Sequence, residues 1–304
     1  MEKSTYSFQD KMNSCVPDDI HHRGELSKKY SGSTELLGKM DEANAVSALV
    51  TYLDQFKNKL PELYDWKFSL DGLYFVTDDD KNKLSEISNS NSYEKVIKLK
   101  SILQKYLDLN HSSYKQAIDW IIKEWGGIKT GSKISQKQYN SLKNSRKLSS
   151  LPFNRIASFS KPAAFISPDK CIIYDSRVAY SINWILLSSR AKHKFFPIPE
   201  GRNSKMKAFD MNTLIHLAFK ENYFSENEQE ENKRFISNRD KQVYLEKECA
   251  YEVLNSLISE VSKELWKGDP EKQKNLFYTE MLLFSIADTI IFQDIIKRSS
   301  LKIN

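Results

Sequence analysis

Apolar residues along the chain recur mainly at helical spacing. Ala45, Leu49, Leu53 and Phe56 follow Asp41 at intervals of three or four as far as Pro61, which predicts a helix with Asp41 as its cap. Residues 65–76, DWKFSLDGLYFV, alternate Trp66, Phe68 and Leu70 before Gly72, the pattern of a short strand or of a loop packed on helices. Ser92 stands as the cap of YEKVIKLKSILQKYLDL, and Ser112 or Ser113 as the cap of YKQAIDWIIKEW, which ends at Gly126-Gly127. Trp120 and Trp125 are five apart and cannot share one stripe of an α-helix. One of them is therefore expected to face outward toward the basic loop, where an indole beside lysines suits base stacking, with a lid over the core as the plainer reading. Ser135 begins a short helix with Tyr139 and Leu142 inward, and further helices are expected at about 208–222, 239–267 and 270–297. The fold class is all-α, mainly helical with one short strand element at most. Residues 1–38 form an irregular lead-in and residues 39–304 a helical domain whose core spans about 112–190.

Within 151–187 the spacing sharpens. Leu151-Pro152 starts a turn, Phe153 to Lys161 makes two helical turns that Pro162 ends, and a connector over 163–174 leads to Asp175. The helix SRVAYSINWILL follows at once, so Asp175 stands at its N-cap with one side toward amides that favour a negative charge. On spacing alone, a cap with no further role is the favoured reading.

Composition narrows the class. With 304 residues and 40% hydrophobic content the chain can bury a sizeable core, and no apolar run reaches membrane-spanning length. Its N-terminus lacks a signal core, so a cytoplasmic protein is expected. Cys15, Cys171 and Cys249 are too few and too scattered for a disulfide framework or a zinc site, even with His21-His22 near Cys15. Phosphate loops, HExxH pairs and GxSxG elbows are absent from the sequence.

Charge changes the picture more. The net +6 hides two basic stretches: Lys123–Lys161 carries nine cations against Glu124, and Ser188–Lys207 carries six against Glu200, leaving the other 245 residues at −7. A polyanion-facing surface built around the intervening segment is the reading this asymmetry favours over scattered solvated lysines.

A fixed carboxylate between such stretches suits cleavage of a glycosidic bond, because it stabilises an oxocarbenium-like transition state and can orient a water. With phosphate-binding charge on both sides, the substrate becomes a nucleotide in DNA. LPFNRIASFSKPAAFISPDKCIIYDSRVA resembles the core of helix-hairpin-helix DNA glycosylases, and most of all bacterial members with an oxoguanine-glycosylase-type fold found among phage-defence genes; YTEMLLFSIADTIIF over 278–292 adds to the likeness. The resemblance covers about 40 residues and places a catalytic carboxylate at Asp175. It implies a DNA glycosylase that flips and excises a modified base, glucosylated hydroxymethylcytosine being one target, and that needs no cofactor beyond a monovalent cation at the hairpin. Its partner is DNA, bearing modified bases in a phage.

The hairpin departs from the family's LPGVG: Leu151-Pro152-Phe153-Asn154-Arg155 has no glycine, which shifts the phosphate grip toward Arg155 and its neighbours. Lys129, Lys133, Arg155 and Lys161 are then the phosphate contacts, and Arg177 either joins them or pairs with a carboxylate. Phe153 or Asn154 is the wedge that fills the vacated stack, and Tyr174 and Trp125 line the base pocket. Lys161 is also the one lysine placed to act as the nucleophile of bifunctional members, but it precedes Asp175 by only 14 residues and is followed by Pro162, so a monofunctional, water-using enzyme is expected. The rival reading is a non-catalytic nucleic-acid-binding or partner-recruiting protein of the same fold.

Overall fold

A computed structural model describes residues 44–86, 90–128, 139–140, 142, 153–191, 194–199, 204–218 and 244–298. These are mostly helical. Ala45–Asp54 forms α1, Leu60–Leu63 α2, Asp78–Glu86 α3, Ser92–Leu103 α4 and Tyr114–Trp120 α5, which continues as a π-turn over Ile121–Trp125. Ile156–Ile166 is α6, entered through a 3-10 turn at Phe153–Arg155, and Ser176–Ser188 is α7. Ser204–Ala208 (α8), Met211–Ala218 (α9), Lys247–Leu265 (α10), Pro270–Lys274 (α11), Phe277–Ile286 (α12) and Ile290–Arg298 (α13) complete the described helices. Tyr139 and Leu142 are helical and buried, as their spacing suggested.

Several boundaries differ from the sequence reading, each for a local reason. Asp41 lies outside the described residues, and α1 is capped by Asn44, whose side chain accepts from Val46 N. Asn91, not Ser92, caps α4 by accepting from Glu94 N. Residues 64–77 contain no strand: Trp66 and its neighbours are irregular, held by side-chain bonds such as Trp66 Nε1 to Trp125 O at 3.0 Å. The one extended pairing among the described residues is a parallel bridge between Phe195 and Tyr244.

Pro162 does not end its helix; it sits inside α6, which runs four residues further. An interior proline costs about 3 kcal/mol through its missing N–H and its clash with the preceding turn. Here every residue from Ser158 to Phe165 is buried, and fully burying one large side chain such as Phe165 contributes about 1.5–3 kcal/mol. Continuing the helix therefore wins over breaking it.

The expectation that Trp120 or Trp125 is exposed also fails. Five residues along an α-helix turn through about 500°, leaving two side chains about 140° apart. The π-turn narrows that separation, with Gly126 N donating to Ile121 O at 2.9 Å, and both indoles are buried. Trp120 donates to Asp71 O at 2.7 Å, while Trp125 turns toward α6.

The core is organised around α7 and α12. Every residue of α12 is buried, and α7 packs on α12, α1 and α9. α10 lies across α1 and α12, and α6 rests on the π-turn. No described helix is long and apolar enough to cross a membrane. The lead-in over 1–38 and the acidic stretch 225–232 lie outside the described residues.

Candidate active site

Asp175 reaches its position because the chain before it is tied down at nearly every step. Ile172 N donates to Asn255 Oδ1 and Ile172 O accepts from Tyr251 Oη, both at 2.9 Å from α10. Tyr174 N donates to Ser160 Oγ of α6 at 2.9 Å, and the Tyr174 hydroxyl donates to Pro197 O at 2.7 Å. An extended segment with its polar groups met by three elements has little freedom left. Asp175 then caps α7, its Oδ1 accepting from Val178 N at 2.9 Å, and stays partly exposed.

A cleft opens beside this cap, lined by Tyr64, Trp66, Trp125, Lys161, Ile173, Asp175, Glu280 and Phe284. It measures about 280 Å³ with its open mouth included, and has room for little more than a water molecule. Its walls are aromatic. Trp66 meets Phe284 edge-on at 5.6 Å and Trp125 at 6.2 Å, Tyr64 lies 6.0 Å from Phe284, and Trp125 backs onto Phe165 at 5.0 Å.

Lys161 and Glu280 stand buried among these rings beside Asp175. Lys161 is 7% exposed; its Nζ donates to Ala157 O at 3.1 Å, one turn back along α6. Burial holds its pKa below the ordinary lysine value, while the charges of Asp175 and Glu280 pull it back up. The stem of Lys161 is laid down by Gly126: a β-carbon there would stand 2.7 Å from Lys161 Cδ and from Ile122 O. Glu280, from the middle of α12, is 3% exposed. Burial pushes its carboxyl up to about 8, Lys100 lowers it, Asp175 raises it further and Lys161 lowers it. Lys100 lies behind the cleft wall with its ammonium 4.0 Å from the Phe165 ring centroid and 5.0 Å from that of Phe277; burial brings its pKa down to about 8, against the pull of Glu280.

The structure thus brings Asp175, Lys161 and Trp125 together. Lys161 lines the cleft and is buried, so the short spacing of 14 residues does not keep it from Asp175. Tyr174 does not line the cleft: it is fully buried, with Phe153 edge-on at 5.5 Å and Tyr251 at 6.2 Å. Phe153 is half-buried in that contact, whereas Asn154 beside it is exposed. Arg155 lays its guanidinium over Phe159 at 4.8 Å. Arg177 pairs with Asp288 at 2.8 Å and covers Phe284 at 4.5 Å, so the ion-pair alternative describes it and it braces a cleft wall. Lys129, Lys133 and the turn at Leu151-Pro152, where a monovalent cation would sit, lie outside the described residues.

Sequence reading missed Tyr64, Trp66, Glu280, Phe284 and Lys100. For Glu280 a signal was present: it is the one charged residue in FYTEMLLFSI, a helix too apolar to present it to solvent. Comparison with protein-family models, with curated proteins and with solved structures finds no match.

Proposed function

We propose that the chain is a DNA N-glycosylase that removes a base by breaking its bond to C1′. The observation that supports this best is a capping carboxylate, Asp175, meeting a buried amine, Lys161, in one aromatic-walled cleft. Aromatic walls suit the two faces of a planar base, and Asp175 beside C1′ opposes the positive charge that develops as the bond breaks. The reading rests also on the likeness of residues 151–179 to helix-hairpin-helix glycosylases and on the basic stretches on either side.

The enclosed space is smaller than a base, so entry requires the wall at half-exposed Trp66 to part. A glucosylated hydroxymethylcytosine would seat its pyrimidine between the rings and leave its hexose at the open mouth, since the described walls offer a sugar few partners.

Lys161 supports a second mode of the same chemistry. A buried amine with a lowered pKa is readier to attack C1′ than a solvated one, and the resulting imine would lead to strand cleavage. Borohydride decides between water and amine: a trapped protein–DNA adduct, lost in Lys161→Gln, selects the amine, and abasic product without an adduct selects water. Genomic DNA from phages with ordinary and with hypermodified bases, assayed for alkali-labile sites and released base, tests the activity itself. Salt-dependent DNA binding with no released base from any of these DNAs would favour a binding protein of this fold.

A further inference from the structure

Glu280 is hard to explain as a structural residue. It is 3% exposed in a helix whose ten residues are all buried, and its Oε2 is sealed from solvent with no hydrogen-bond partner among the described residues. Lys100, the cation that acts on it most strongly, is equally unmet: among the described residues its Nζ is sealed without a hydrogen bond and rests over Phe165 and Phe277. A buried ion pair offsets its desolvation only when hydrogen bonds join it, and this pair has none. A carboxyl kept at such cost while also lining the cleft beside Asp175 and Lys161 points to something that enters the cleft.

Resting on the base-excision reading above, we infer that Glu280 is the acid of the reaction: its carboxyl donates a hydrogen bond to a ring nitrogen or carbonyl oxygen of the flipped base and delivers the proton as the base departs. The C1′–N bond breaks with its electron pair going to the base, the Glu280 proton neutralises that pair, a water oxygen bonds to C1′, and the water's proton passes to Asp175. The two carboxyl groups end with their protonation exchanged, and solvent restores them.

The surroundings fit a protonated acid. The groups facing Glu280 are Lys100 from α4, Lys161 from α6, Asp175 at the start of α7, and the hydroxyls of Tyr64 and Tyr251. Burial is the largest influence and favours the neutral form, and Asp175 adds to it. Glu280 at the buried end would thus hold its proton before the reaction, as an acid must. The acid also narrows the substrate to bases that present an acceptor to the cleft floor.

The test is single-turnover release of free base from phage DNA carrying glucosylated hydroxymethylcytosine and from unmodified phage DNA, across pH 6 to 10. Wild type is expected to lose rate as pH rises through the Glu280 pKa. Glu280→Gln, which keeps shape and a donor but cannot yield a proton, should be slower by about 10²–10⁴-fold and lack that alkaline limb. Lys100→Met keeps Glu280, removes the cation that eases its ionisation and should move the limb to higher pH; it carries the test if Glu280→Gln does not fold. A Glu280→Gln rate and profile matching wild type, or an unmoved limb in Lys100→Met, overturns the role of Glu280 even where Asp175→Asn is inactive and the glycosylase reading stands. If wild type and Asp175→Asn alike release no base from either DNA, the glycosylase reading fails and this role falls with it.

Discussion

Replacing Asp175 separates its capping bond from its proposed catalytic role. Its Oδ1 accepts from Val178 N at 2.9 Å, and loss of such a cap costs about 0.5–2 kcal/mol. Asp175→Ala should therefore unfold at a temperature lower by about 2–4 °C for each kcal/mol lost, the scale for 150–250 ordered residues. Asp175→Asn keeps an oxygen able to accept the same bond, so its thermal transition should stay within about 1–2 °C of wild type. Its effect on chemistry should be unlike its effect on stability. The amide cannot oppose a developing cation, and removing one preorganised electrostatic partner from a reaction centre typically costs about 10²–10³ in rate. It also takes away a charge that favours the ammonium of Lys161, leaving that amine less protonated. Thermal unfolding by circular dichroism and base release under single-turnover conditions are measured on wild type, Asn and Ala variants together. The reasoning requires Asn and Ala to be alike in excision and different in stability. An Asn variant with undiminished excision, or one as unstable as Ala, would refute it.

Three further outcomes follow from the geometry. Gly126→Ala should destabilise by about 1–3 kcal/mol, because its β-carbon would stand 2.7 Å and 2.8 Å from the carbonyls of Ile122 and Ile121, which cannot step aside as a side-chain end can; displacement of Lys161 should also lower any borohydride-trapped adduct more than the stability loss accounts for. Asp80 accepts from Lys105 at 2.6 Å and from the Tyr106 hydroxyl; burial raises its pKa, but these bonds and Thr77 carry it below the ordinary 3.8, so its contribution is present above that value and lost as pH falls through the lowered one. Asp80→Asn should cost about 1–3 kcal/mol at neutral pH by urea unfolding and flatten the acid limb of stability. Glu280 acts with the opposite sign: the folded protein retains a proton that the unfolded chain releases above 4.5, so wild-type stability should fall as pH rises from there toward about 8, a slope missing in Glu280→Gln, while Lys100 should restore stability between about 8 and its ordinary 10.5. Thermal unfolding of both proteins from pH 5 to 10 measures this, and parallel curves would contradict it.

Local signals in the sequence predicted the helical class, the inward Tyr139 and Leu142, and Asp175 as the cap of α7, because apolar spacing and a capping aspartate are decided within a few residues. What failed was decided by distant packing. Nothing local announces that burial of Phe159, Ala164 and Phe165 will carry α6 through Pro162, or that a π-turn will set Trp125 into the cleft wall. Lys161 precedes Asp175 by 14 residues, closer than the glycosylase pattern leads one to expect, and a continuous α6 followed by a tied-back segment brings both residues to one cleft.

The two hidden participants show why a site of this kind resists sequence reading. Trp66 sits in an irregular stretch whose alternation imitated a strand, and it becomes a wall only through its bond to Trp125 O and its edge against Phe284. Glu280 is read as core until its neighbours are known, since an apolar helix with one carboxylate is compatible with a buried ion pair. Absence of any hydrogen bond between Glu280 and Lys100 argues against that pairing as its purpose. A scaffold that leaves a carboxyl and an ammonium unmet on either side of an aromatic wall gives up stability there. Replacing the pair jointly by apolar residues of similar size, Lys100→Met with Glu280→Met, should accordingly raise the unfolding temperature above wild type, because both sealed, unmet polar groups are removed at nearly constant volume. A double variant less stable than wild type would instead make the pair a structural element of the core.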